Sequence, residues 1–149
     1  MAHSGGVKRL SKLQAAYIVG LVDGEGTITL TRLHRNEGRR LVLSISSTEV
    51  ELLNFVLKSV GAGKITGKRT YSARHTPSLT YAITSRQALA VLMQILPYLR
   101  SYKKLRAALA IRHYVKLTPR NGRYTAEAKE ARDQFETDFL WIVPDSPRH

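Results

Sequence analysis

The chain has 149 residues, the length of one ordinary domain, and 43% of them are hydrophobic, which excludes a disordered chain. It contains no cysteine, which excludes a disulfide framework and a thiolate metal site, and no apolar run long enough to span a membrane. Lys and Arg number 24 against 11 Asp and Glu, a formal net charge of +13, so a polyanionic partner is expected, nucleic acid ahead of an anionic membrane.

Residues 1–9 are rich in small side chains and lack the apolar stretch of a signal peptide. They read as a flexible tail on an intracellular protein, followed by a single domain over 10–149. Ser11 with Gln14 forms a capping-box pattern, and a helix over 12–22 carries Leu13, Ala16, Tyr17, Gly20 and Leu21 at helical spacing. The helix meets Asp23-Gly24-Glu25-Gly26, where the two glycines let the chain leave it. Two carboxylates at such a terminus suit a hard divalent cation. From residue 27 the period becomes two: Thr27-Ile28-Thr29-Leu30-Thr31 and residues 41–46 alternate as half-buried strands of a hairpin. Its tip is basic, with Arg32, His34, Arg35, Arg39 and Arg40.

Thr48 is placed to cap a second helix over 49–60, which stops at Gly61. Strands over 64–71 and 79–84 make a second hairpin, and helices are expected over 86–96, 102–116 and 125–141. Phe135, Phe139 and Ile142 form the apolar stripe of the last. The order α-β-β-α-β-β-α-α-α, with strands in hairpins, predicts an α+β fold with an antiparallel sheet. One sheet face packs on helices. The other collects Thr29, Thr31, Arg35, Arg40, Ser44, Ser46, Lys64, Thr66, Lys68 and Thr80, with Thr27, Thr70, Arg32 and Arg39 in the same strands and tip. Such a face suits a DNA major groove, bases reaching phosphate and hydroxyls reaching base edges. Arg exceeds Lys, 15 to 9, in keeping with forked contacts to phosphate and guanine, and six of the eleven acids lie in residues 127–145.

Residues 18–26, IVGLVDGEG, resemble the LAGLIDADG motif of homing endonucleases: Gly20, Asp23 and Gly26 stand at matching positions and Glu25 replaces the last Asp. The order of elements over 10–116 is similar to the single-motif form of that fold, with 117–149 as a C-terminal helical extension. Ser47-Thr48 leading into a Leu-rich helix, Gly61-Ala62-Gly63, and Leu96-Pro97-Tyr98-Leu99 followed by Lys103 add to the likeness. The resemblance implies a site-specific endonuclease that hydrolyses one phosphodiester on each strand of a long pseudo-palindromic duplex. It implies Glu25 as metal-binding acid, the Gly24 carbonyl as a further ligand, Lys103 or Lys104 beside the scissile phosphate, and Ser47 as an orderer of water. Asp23 is implied to terminate and orient the helix. The cofactor implied is Mg²⁺, with Mn²⁺ or Ca²⁺ as substitutes. Because one motif supplies one acid, it implies a homodimer joined through Tyr17, Gly20 and Leu21. A non-cleaving DNA-binding regulator and an RNA maturase acting on its own intron are the alternatives on the same scaffold.

Overall fold

In a computed structural model, which describes residues 5–35, 38–67, 77–119 and 123–145, the expected order of helices and strands is present. The elements are α1 (Lys12–Glu25), β1 (Gly26–Thr31), β2 (Arg40–Ser47), α2 (Val50–Val60), β3 (Lys64–Gly67), β4 (Leu79–Thr84), α3 (Ser85–Ile95), α4 (Lys103–His113) and α5 (Ala126–Trp141). The fold is α+β, built on one four-stranded antiparallel sheet of order β1-β2-β4-β3.

Alternation fixes which sheet face is dry. Ile28 and Leu30 of β1, Leu41, Leu43 and Ile45 of β2, and Tyr81 and Ile83 of β4 are all buried. They join Ile18 and Val22 of α1, Leu53, Val56 and Val60 of α2, and Leu89 and Leu92 of α3 in one core. Each such side chain contributes about 1.5–3 kcal/mol when removed from water. A one-residue slip would turn the whole set to solvent, so the register is strongly specified.

The first helix is longer than its local signals indicate. The capping box forms as expected: the Gln14 amide donates to Ser11 Oγ at 3.1 Å and the Ser11 amide to Gln14 Oε1 at 2.9 Å. The helix does not stop at Val22 but continues through Asp23 and Gly24 to Glu25, and the Gly26 amide closes its last turn on the Val22 carbonyl. Gly26 is extended (φ −95°), so its glycine is required by crowding and not by a left-handed backbone. A Cβ there would lie 2.7 Å from Val22 Cα and 3.2 Å from the Ser44 carbonyl oxygen.

Other boundaries also shift for local reasons. The α2 cap falls at Glu49, not Thr48, and Ser47 Oγ accepts the Glu49 amide at 2.9 Å. Ser85 opens α3 with φ +56°, the left-handed region, and α3 gives way to a 3-10 turn over Leu96–Tyr98 where Pro97 removes a donor. Strand β3 is Lys64–Gly67, and the rest of the expected 64–71 strand, with Lys68 and Thr70, lies outside the described residues. The fourth helix ends at His113, three residues before the expected end.

Residues 5–9, expected to belong to a flexible tail, are tied down. Val7 is buried, the Lys8 amide donates to the Val60 carbonyl at 2.8 Å, and Gln94 Nε2 donates to the Lys8 carbonyl at 3.1 Å. The C-terminal helix is equally integral. Thr125 caps it, accepting the Ala128 amide at 3.1 Å, and Phe135 and Phe139 enter the core. Arg106 of α4 donates to the Ile28 carbonyl of β1 at 2.9 Å and to the Ile142 carbonyl at 2.7 Å, clasping sheet and C-terminal segment together.

Candidate nucleic-acid interface

The wet sheet face is a lattice of small polar side chains set by strand register. Thr27 pairs with Ser44, Ser44 with Ala82, and Ala82 with Lys64. One row toward Glu25, Ser46 pairs with Thr80 and Thr80 with Thr66, and the Ser46 and Thr80 hydroxyls meet at 2.7 Å. Toward the hairpin tip, Thr29 pairs with Val42 and Thr31 with Arg40. Thus Thr27, Thr29, Thr31, Arg40, Ser44, Ser46, Lys64, Thr66 and Thr80 share one face, as their alternation predicts. Val42, Ala82 and Thr84 share it too and were missed, because apolar or lone residues carry no polarity signal. Arg32 and Arg35 are exposed at the tip.

Two of the expected site residues stand elsewhere. Ser47 has the parity of the dry face, and its oxygen accepts the Glu49 amide in the turn before α2. Arg39 is drawn off the tip toward α5, its Nε 3.4 Å from Glu136. Arg132, buried in α5, donates to Glu136 at 3.1 Å and to the Arg39 carbonyl, and its guanidinium stacks 5.0 Å from the Tyr114 ring centroid. The acid-rich C-terminal segment therefore docks on the basic hairpin.

At the other end of the face, three elements converge. Asp23, in the last turn of α1, accepts the Arg100 amide at 3.0 Å, the Ser101 amide at 3.2 Å and the Ser101 hydroxyl. Burial pushes its carboxyl up, but these bonds and the nearby Lys103 outweigh that and hold it below the usual value. Lys103 is buried, and its Nζ donates to the Val22 carbonyl at 2.7 Å and the Asp23 carbonyl at 3.0 Å. Burial lowers its pKa, opposed by Asp23 and Glu25. Lys103, and not the exposed Lys104, therefore reaches the end of α1.

Glu25 is exposed beyond this anchor, with Gly24 exposed before it. The last carbonyls of a helix lack helical donors and carry its negative pole. An exposed carboxylate with such carbonyls is a hard-oxygen donor set that suits Mg²⁺ or Ca²⁺. Among the described residues of one chain, no three His, Cys, Asp or Glu come together to hold a metal.

The outer side of α1 is bare. Ala16, Gly20 and Gly24 recur every fourth residue and are exposed, with Leu13 and Tyr17 beside them. A Cβ on Gly20 or Gly24 would meet nothing within 4 Å. Tyr17 packs edge-on against Phe55 of α2 at 4.9 Å, while Leu21 turns half-buried to the core.

Comparison with solved structures shows the architecture. The homing endonuclease I-CvuI in complex with its target superposes with a TM-score of 0.70, at 19% identity over 92% of this chain and 86% of that one. The archaeal intron-encoded homing endonuclease I-Vdi141I, complexed with DNA, gives 0.69 at 16% identity over 91% of this chain and 87% of that one. The LAGLIDADG meganuclease I-AabMI, bound to uncleaved DNA, gives 0.61 at 16% identity, matching 90% of this chain to 53% of that one. The chain has the LAGLIDADG homing-endonuclease fold. No family model and no curated protein matches its sequence. In this fold the IVGLVDGEG stretch forms the second half of α1, with the bare outer side at Gly20 and Gly24, and its acid-bearing end. Among the described residues no helix is long and apolar enough to cross a membrane.

Proposed function

We propose that the protein is a homodimeric, LAGLIDADG-type DNA endonuclease that cuts both strands of a pseudo-palindromic duplex with the help of magnesium. One observation carries this reading: the exposed Glu25 sits at the end of an exposed Ala16-Gly20-Gly24 stripe, beside the polar sheet face. A second copy packed on that stripe brings its own Glu25 to the first, and lays two sheets along one duplex. The neighbours support the stoichiometry: this chain matches most of I-CvuI and I-Vdi141I but about half of I-AabMI.

Each part then has a task. The eight residues of β2 span about 27 Å, the length of about eight base pairs, so each protomer reads a half-site of that order. Thr27, Thr29, Ser44, Ser46, Thr66 and Thr80 offer hydroxyls to base edges, and Lys64, Arg32, Arg35 and Arg40 offer charge to phosphates. Glu25 and the Gly24 carbonyl of each protomer hold the cation, which supplies an activated water and offsets phosphate charge. Asp23 is a positioning residue that fixes α1 to the turn before α4. Lys103 neutralises the helix end and adds positive charge beside Glu25. The hydroxyl of Ser46, on the wet face, is better placed than that of Ser47 to order water.

The test is selection of a cleavable site from a random duplex library with magnesium, followed by Glu25→Gln. This change removes one anionic ligand per protomer with little change of shape. Cleavage is expected to fall at least a hundredfold while binding to the selected duplex persists. Cleavage at near the parental rate removes Glu25 from the site. Duplex binding without cleavage by the parental protein identifies a regulator instead, and preference for structured RNA identifies a maturase.

A further inference from the structure

Glu25 stands within a short stretch that α4 grips at both ends. Before it, Lys103 Nζ donates to the Val22 and Asp23 carbonyls, and the Asp23 carboxylate is tied to the turn that leads into α4. After it, Arg106 Nη1 donates to the Ile28 carbonyl at 2.9 Å. Strand β1 is an edge strand, paired with β2 alone, so this bond ties it to α4 close to the acid. Lys103 and Arg106 lie three residues apart on one helix, which puts them on one face. Lys103 belongs to the site already described. Arg106 does not, and the endonuclease reading gives it no task.

Packing alone does not call for an arginine here. Arg106 is 8% exposed, and no ion pair joins it to an acid among the described residues. A buried cation without an anion costs stability that an apolar side chain of similar volume does not. Dipoles and aromatic faces meet its charge instead. Nε donates to the Ile142 carbonyl at 2.7 Å, and the ring centroids of Tyr102 and Phe139 lie 5.4 and 5.2 Å from the guanidinium carbon. Two donors of one rigid plane therefore fix two carbonyls, one in β1 three residues after Glu25, the other at the residue that ends α5. An apolar side chain could fill the space but could not set that spacing. We propose that Arg106 is a positioning residue for cleavage, one that touches neither DNA nor metal. It holds the start of β1 against α4 and so aims Glu25 relative to Lys103. Through Ile142 it makes that aim depend on the docked C-terminal helix. The part played in cleavage rests on the endonuclease reading above; the clamp itself does not.

Two variants of the full chain test this. Arg106→Met keeps most of the length and removes every donor, whereas Arg106→Lys keeps the cation but loses the planar fork. The first measurement is amide hydrogen exchange of the protein alone, without DNA or magnesium. Arg106→Met should speed exchange over residues 25–29 and 140–143 by about tenfold more than in α2 and β4. The second is single-turnover cleavage of the selected duplex with magnesium, at protein concentrations well above Kd. The rate should fall about tenfold or more while Kd stays within about threefold of the parent, as a misplaced catalytic group predicts. Arg106→Lys should lie between parent and Arg106→Met in both measurements, and it carries the test if the Met variant folds poorly. A parental cleavage rate in the variants that fold overturns the proposal. So does exchange that accelerates evenly along the chain, the mark of a merely structural role. Failure of the parent to cut any duplex refutes the endonuclease reading and the part in cleavage with it, while the exchange pattern still decides the clamp. Cleavage by the parent with no localised change in exchange sinks the clamp alone, so the two failures are separable.

Discussion

Replacement of Asp23 by Asn is expected to weaken the fold through a single carboxylate. Asp23 receives two backbone amides and one hydroxyl from Arg100 and Ser101. Hydrogen bonds to a charged acceptor contribute about 1.5–3 kcal/mol each, and partial solvent exposure brings three of them well below their sum. Asn keeps the shape and one acceptor oxygen, but turns an NH₂ toward an amide donor and removes the charge facing Lys103. A loss of about 2–3 kcal/mol follows, or a fall of about 5–10 °C in Tm for a chain of this size. The acid dependence gives a second reading. The folded carboxyl lies below its ordinary value of 3.8, so its stabilisation is complete above that value and drains away as pH falls through the lower folded value. The Asn variant should lack that component, so parent and variant converge in acid. Urea unfolding followed by circular dichroism, at one protomer concentration and over a series of acidic pH values, measures both effects. A variant within about 0.5 kcal/mol of the parent near neutral pH, with the same acid dependence, would refute the anchoring role of Asp23.

Two glycines of the same motif should respond in opposite ways. Gly26→Ala drives a Cβ to 2.7 Å from backbone at Val22, so urea denaturation should show a loss of about 1–3 kcal/mol, and parental stability would contradict the crowding. Gly20→Ala meets nothing within 4 Å, so the protomer should gain about 0.5–1 kcal/mol from helix propensity. In the proposed homodimer the same methyl would recur across the two-fold axis and should weaken dimerisation at least tenfold by sedimentation equilibrium, and an unchanged dimer would move the interface off α1.

Much of the fold was legible because its signals are local. The capping box at Ser11, the period-two run from Thr27, the stop at Gly61 and the Thr125 cap each lie within a few residues of the structure they set. The wet face was legible because alternation carries polarity to one side, so a list of Thr, Ser and basic residues became a surface. What failed did so where a distant partner decides. The end of α1 passes Val22 because Lys103, eighty residues later, satisfies the Val22 and Asp23 carbonyls. Residues 5–9 are ordered because Gln87 and Gln94 of α3 reach their carbonyls. No window of sequence around either segment contains those facts.

The hairpin arginines show the same limit with a functional consequence. In sequence, Arg32, Arg35, Arg39 and Arg40 are equivalent cations on one tip, and the acids of residues 127–145 are a separate surface of opposite sign. In the fold they are sorted. Glu136 and Arg132 take Arg39 out of the set, and the same pair builds a wall beside Arg40, whose Nε has no hydrogen-bond partner among the described residues. Mutually paired charges add little to DNA affinity, because binding releases counterions only where a cation is free to replace them. The C-terminal helix therefore acts on the sign and aim of the tip rather than as a neutralising tail, leaving Arg32, Arg35 and Arg40 as the cations available to phosphate.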